Sequence, residues 1–115
     1  MHDPYRSLLW YVLAGTRGGP NRIRILEQLR AQPHNAHQLS QTLGMDYRTI
    51  RHHLRLLERN GLVVRPIGAA YASPYELPPR VAERFDVVVE IRDGRFKPSP
   101  RGGPRAVLAG AGSVP

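Results

Sequence analysis

The sequence predicts an α+β fold, mainly α, in which a helix-turn-helix is followed by a two-stranded hairpin and flanked by N- and C-terminal helices. Three observations predict it. Apolar residues recur at helical spacing in four successive segments before Gly61. Two of those segments, 35–44 and 46–60, are separated only by the turn Gly44-Met45-Asp46. After Gly61 the helical period gives way to β-prone residues. At 115 residues the chain supports one domain, expected over 1–92, with a tail over 93–115.

The first helix starts at Asp3-Pro4, an N-cap acid before a proline at the first helical position, and runs to Gly15. Leu8, Leu9, Trp10, Tyr11 and Val12 make it apolar nearly all round. Such a helix packs either in the core alone or also on a second copy of the chain. Thr16-Arg17-Gly18-Gly19-Pro20 then breaks the chain, and Pro20 opens a second helix that Pro33 ends. Arg17 reads first as part of the turn and second as a phosphate contact. In the second helix Ile23, Ile25, Leu26 and Leu29 form the buried stripe, and Arg22, Arg24 and Arg30 are expected outside.

Asn35 and Gln38 form a capping box at the start of the third helix, with Leu39 and Leu43 facing inward. The fourth helix is the stretch around which the chain is organised. In DYRTIRHHLRLLERNG, Tyr47, Ile50, Leu54 and Leu57 share one apolar stripe. Arg48, Arg51, His52, Arg55 and Arg59 project opposite, with Thr49. Asp46 is placed to cap this helix and Gly61 to stop it.

Long charged side chains often do no more than solvate a helix. Here the positions where glutamate would alternate carry Arg or His instead, so like charges accumulate on one element. That is the electrostatic footprint of a polyanion-binding surface.

Leu62 to Arg65 and Tyr71 to Leu77 are expected to pair as a hairpin wing, with Pro74 confining the second arm to an edge. Residues 80–92 follow Pro78-Pro79 and repeat Val81, Phe85, Val88 and Ile91 or Val89 at helical spacing. The run Val87-Val88-Val89 has strand propensity, but the proline start and the interspersed Glu83, Arg84 and Glu90 favour a helix. This terminal helix, with the first, is the expected dimerisation element. From Asp93 the composition turns to Gly, Pro, Ser, Ala and Arg, a basic tail expected to be disordered. The tetrapeptide RGGP at Arg17 and Arg101 is too short to mark a repeat.

Seventeen Lys+Arg against nine Asp+Glu give a formal charge of +8, which favours polyanionic partners. Nearly all the cations are arginine, whose planar fork matches phosphate and guanine edges. There is no cysteine, so disulfides, thiolate metal sites and thiol catalysis are excluded and a cytoplasmic location is expected. The N-terminal apolar run Leu8–Ala14 is far shorter than the roughly 20 residues of a spanning helix, and no targeting signal is read. The pairs His34/His37 and His52/His53 have no acidic partners nearby in sequence, so no metal and no cofactor are expected. No phosphate loop, paired carboxylates or nucleophile with a base is present, and an enzyme is not expected.

GMDYRTIRHHLRLLERNGLV, with TRGGPNRIRIL ahead of it, resembles the winged-helix regulators of the ArsR-like class, archaeal members in particular, over about Leu8 to Leu77. The resemblance implies a homodimeric winged helix whose fourth helix enters the major groove while the wing touches the backbone or minor groove. It places Tyr47, Arg48, Thr49, Arg51 and His52 at base and phosphate contacts, and His53 at the histidine of an (R/Q)-H-L pattern. The metal-sensing members use cysteine thiolates or histidine and carboxylate sets, which this chain lacks.

The expected function is therefore sequence-specific binding of double-stranded DNA by a homodimeric transcription regulator. Arg48 and Arg51 would read guanine, Tyr47 and Thr49 add apolar or hydroxyl contacts, and Arg55, Arg59 and the wing's Arg65 hold phosphates. The alternatives are a protein-interaction winged helix within a larger machine and a non-specific chromatin-type protein.

Overall fold

The computed structural model describes residues 3–70 and 72–98. Six helices succeed one another: α1 Pro4–Leu13, α2 Gly19–Ala31, α3 Ala36–Leu43, α4 Tyr47–Arg59, α5 Pro79–Glu83 and α6 Phe85–Arg92. Among the described residues no helix is long and apolar enough to cross a membrane.

The caps form as their residue types dictate. Asp3 accepts from the backbone N–H of Tyr5 and Arg6, and the Asn35–Gln38 box closes with both bonds at 2.8 Å. Leu9, Ile25, Leu26, Leu39, Ile50 and Leu54 are completely buried. Around them α1 packs on α6 and α2, and α3 packs on α2 and α4. The helix-turn-helix is thus backed by a layer made from both ends of the described chain.

Arg22 overturns the expected pattern of α2. It is 2% exposed, not outside. Three and four residues before Ile25 and Leu26, it lies on the same stripe. Its side chain is drawn in by the Val12 carbonyl in the last turn of α1 and the Arg17 carbonyl in the turn that follows.

The two-stranded wing is reduced to a single rung. Val64 and Glu76 exchange both backbone hydrogen bonds at 2.9 Å, and no strand forms among the described residues. In this antiparallel register the next hydrogen-bonded pairs would be 66 with 74 and 62 with 78. Residues 66, 74 and 78 are all proline, so each further rung lacks a donor. The returning segment is instead held from its other side by Tyr75, which exchanges backbone bonds of 2.8 and 3.2 Å with His34. His34 is buried in that bridge, and its ring donates to the Gln32 carbonyl at 2.8 Å.

Residues 80–92 are helical, but as two pieces broken at Arg84. Its backbone (φ −114°, ψ 30°) leaves the helical range, while its guanidinium pairs with Asp3 at 2.8 Å. Arg84 and Arg80 also lie over the Tyr5 ring, at 5.3 and 3.9 Å. These contacts with the start of α1 hold α5 at an angle that one straight helix would not allow. Val81, Phe85, Val87, Val88 and Ile91 are buried, and Val89 is half-buried. Of the segment from Asp93 onward, residues 93–98 are described, and there Phe96 packs beneath the Arg6 guanidinium at 4.6 Å. Arg101, Arg105 and the rest of the expected tail lie outside the described residues.

Candidate nucleic-acid interface

The turn that carries α4 is stiff because its polar groups bond one another. Met45 N–H donates to the Ser40 carbonyl at 3.1 Å, and the Ser40 hydroxyl donates to the Met45 carbonyl at 2.6 Å. Arg24 donates to the Leu43 carbonyl at 3.1 Å and so closes the end of α3. Asp46 then accepts from Arg48 N–H at 2.9 Å and Thr49 N–H at 3.3 Å. A carboxylate here satisfies orphan donors and complements the helix dipole.

On this base Ile50, Leu54 and Leu57 anchor α4 in the core with no exposed surface. The opposite face holds Arg48, Thr49, His52, Arg55 and Arg59, all exposed, with Tyr47 and Arg51 half-buried at its flank. Arg65 stands apart from this set. Its Nε lies 3.7 Å from Glu58 and its guanidinium 4.6 Å over the Tyr75 ring, so it is clamped along the wing. At that distance the pair attracts electrostatically without a hydrogen bond, and Nε stays buried and unsatisfied.

Several acids pair with arginines away from the exposed face of α4. Glu90 pairs with Arg6, Asp3 with Arg84, Glu27 and Asp93 with Arg92, and Glu58 turns toward Arg65. Asp46 is committed to its cap. Positive charge is therefore concentrated on α4, which carries four arginines against Glu58 alone.

Residues 19–64 match the model of a family described as bacterial regulatory protein, arsR family. This stretch is similar to the helix-turn-helix of ArsR-like DNA-binding transcription regulators. The match runs from the start of α2 to the first residue of the wing rung, so it contains the whole basic face. No curated protein and no solved structure matches the chain.

Two features beside α4 go beyond the sequence reading. The first is Arg17, read first as a turn residue and second as a phosphate contact, whose turn brings it with Gly18 against Arg48, Thr49, His52 and His53 around one concave pocket. The second is the buried pair beneath. Arg22 donates to the Val12 carbonyl (2.9 Å), the Thr16 hydroxyl (2.6 Å), the Arg17 carbonyl (3.0 Å) and Nδ1 of His53 (3.1 Å). His53, unlike its neighbour His52, turns inward and is 5% exposed. Burial, then the charges of Arg22 and His52, push its pKa down to about 4, so the ring is neutral near pH 7. The available signal was spacing: Arg22 falls on the apolar stripe of its own helix.

Proposed function

We propose that this protein is a sequence-specific, double-stranded-DNA-binding transcription regulator of the ArsR-like class, archaeal in type, that acts as a homodimer in the cytoplasm. The observation that carries the reading is the exposed arginine and histidine face of α4, mounted on a stiff turn. In this reading α4 lies in the major groove. Arg48 and Arg51 read guanine edges, Tyr47, Thr49 and His52 support them, and Arg55 and Arg59 hold phosphates. The proline-limited wing, with Arg65 along it, lies against the backbone.

Dimerisation through α1 and α6 is supported by apolar side chains there that the core covers only in part, among them Leu8, Trp10 and Val89. Two α4 helices related by a two-fold axis call for an inverted repeat with half-site centres roughly 10 bp apart or a multiple of that. Selection of binding sites from random duplexes at about 150 mM salt tests this, because non-specific phosphate contacts are weakened there. Enrichment of an inverted repeat supports the dimeric regulator. Binding without enrichment replaces it with a chromatin-type protein, and loss of binding replaces it with a protein-docking adaptor.

A further inference from the structure

The pocket beside the N-terminal half of α4 has a feature that a bare basic surface lacks: a ring donor of defined orientation in its wall. Arginine has donors only, so its bond to Nδ1 of His53 requires a lone pair on that nitrogen. A neutral imidazole with Nδ1 as acceptor carries its hydrogen on Nε2. Among the described residues Nε2 has no hydrogen-bonding partner, and the ring is 5% exposed and part of the pocket wall. An acceptor arriving in the pocket meets this N–H already oriented by the Arg22 bond on the other side of the ring.

The surroundings select the acceptor. Arg17 and Arg48 border the pocket, Thr49 adds a hydroxyl, and no carboxylate lines it. Arg22 places a further positive charge directly beneath, balanced by carbonyls and a neutral ring and not by an acid. Gly18, at φ +89°, keeps the floor open. A Cβ there would lie 2.8 Å from Cε1 of His53 and 3.1 Å from Nη1 of Arg22. The space, about 510 Å³, accommodates a phosphodiester and part of its sugars.

We propose that this pocket clasps one phosphodiester of the DNA backbone, with His53 Nε2–H as a neutral, pre-oriented donor and Arg17 as the charge. Arg22 is a positioning residue, since it sets the tautomer of His53. The phosphate held here fixes the register of α4 and leaves the Arg48 guanidinium to reach a base edge. The inference rests on the DNA-binding reading, and its test separates the two.

Nitrogen-15 NMR of the histidine rings in the free protein should show His53 as the neutral Nε2–H form, and the Nε2–H signal should move downfield when short duplex DNA is added. His53→Asn keeps an oxygen near Nδ1 to accept from Arg22 but removes the outward donor. It should weaken duplex binding about tenfold with the salt dependence unchanged, because no counterion-releasing charge is lost. Arg17→Ala should instead lower the salt slope by about one. An Nδ1–H tautomer, or an Nε2–H signal that duplex leaves unmoved, overturns the phosphate clasp. So does a folded His53→Asn variant that binds as the wild type does, and in that case the DNA-binding reading stands. A wild-type protein that binds no duplex overturns both.

Discussion

The guanidinium of Arg22, 2% exposed, donates to Nδ1 of His53 at 3.1 Å, so a buried cation on α2 and a buried neutral ring on α4 hold the two helices together without any acid. Burial lowers the pKa of Arg22, yet a guanidinium stays charged at any physiological pH, and the energetic cost of burying it is offset by four acceptors. Replacing it with methionine preserves much of the volume but orphans the Val12 and Arg17 carbonyls. Arg22→Met should destabilise the fold by about 2–4 kcal/mol. Arg22→Lys should recover little of this, because one ammonium cannot reach four acceptors arranged around a planar fork. Denaturant unfolding of both variants measures the difference.

The same pair sets a pH dependence. In the unfolded chain His53 titrates near 6.5, and in the folded protein only near 4. Between those values the unfolded state binds the proton and the native state does not. The stability is therefore fully present above about pH 6.5 and falls as pH drops toward 4, by an amount on the order of 3 kcal/mol. Asp3 and Asp93, whose pKa values their arginine partners lower, lose their contributions only below the ordinary carboxylate range, in a separate window. Melting temperatures of the wild type and His53→Asn across pH 4–7 should converge at the acid end.

Arg48 and Arg55 should differ in kind. Arg48→Ala should relax base preference, costing about 1–3 kcal/mol on the selected site and little on unrelated duplexes. Arg55→Ala should weaken all sequences alike and lower the salt slope by about one. Affinities for selected and scrambled duplexes at several salt concentrations distinguish the two. An Arg48→Ala variant with unaltered relative affinities would remove that residue from base reading.

The cap of α4 is also accessible to measurement. Asp46→Ala removes the acceptor for Arg48 N–H and Thr49 N–H and should cost about 1 kcal/mol. Because the cap also orients the first turn of α4, DNA affinity should fall with it. Thermal unfolding and duplex binding on the same preparation check both effects.

The donors that Pro66 and Pro74 withhold from the wing can be restored. Replacing Pro66 and Pro74 together with threonine restores donors at the next rung beyond Val64 and Glu76. The amides at 66 and 74 should then become protected from hydrogen exchange. Unprotected amides would show that something other than the missing donors limits the ladder.

What the sequence by itself determined is the part governed by local chemistry. Asp3, Asn35 with Gln38, and Asp46 start helices because their side chains satisfy orphan N–H groups. The three-residue turn and the helical spacing of Ile50, Leu54 and Leu57 then place the arginines of α4 outward. Tertiary structure decided what depends on partners distant in the chain. Arg22 is buried because the end of α1, the turn after it and His53 converge on its guanidinium; its place on the apolar stripe hinted at burial, but the acceptors that make burial possible lie outside α2. Helices α5 and α6 part at Arg84 because Asp3 and Tyr5 hold it from the other end of the chain. Pro66, Pro74 and Pro78 were visible in the sequence, but only the register of Val64 with Glu76 places each of them where a donor was needed. Arg17 joins the face of α4 only because α1 and α2 meet at that turn and carry it there.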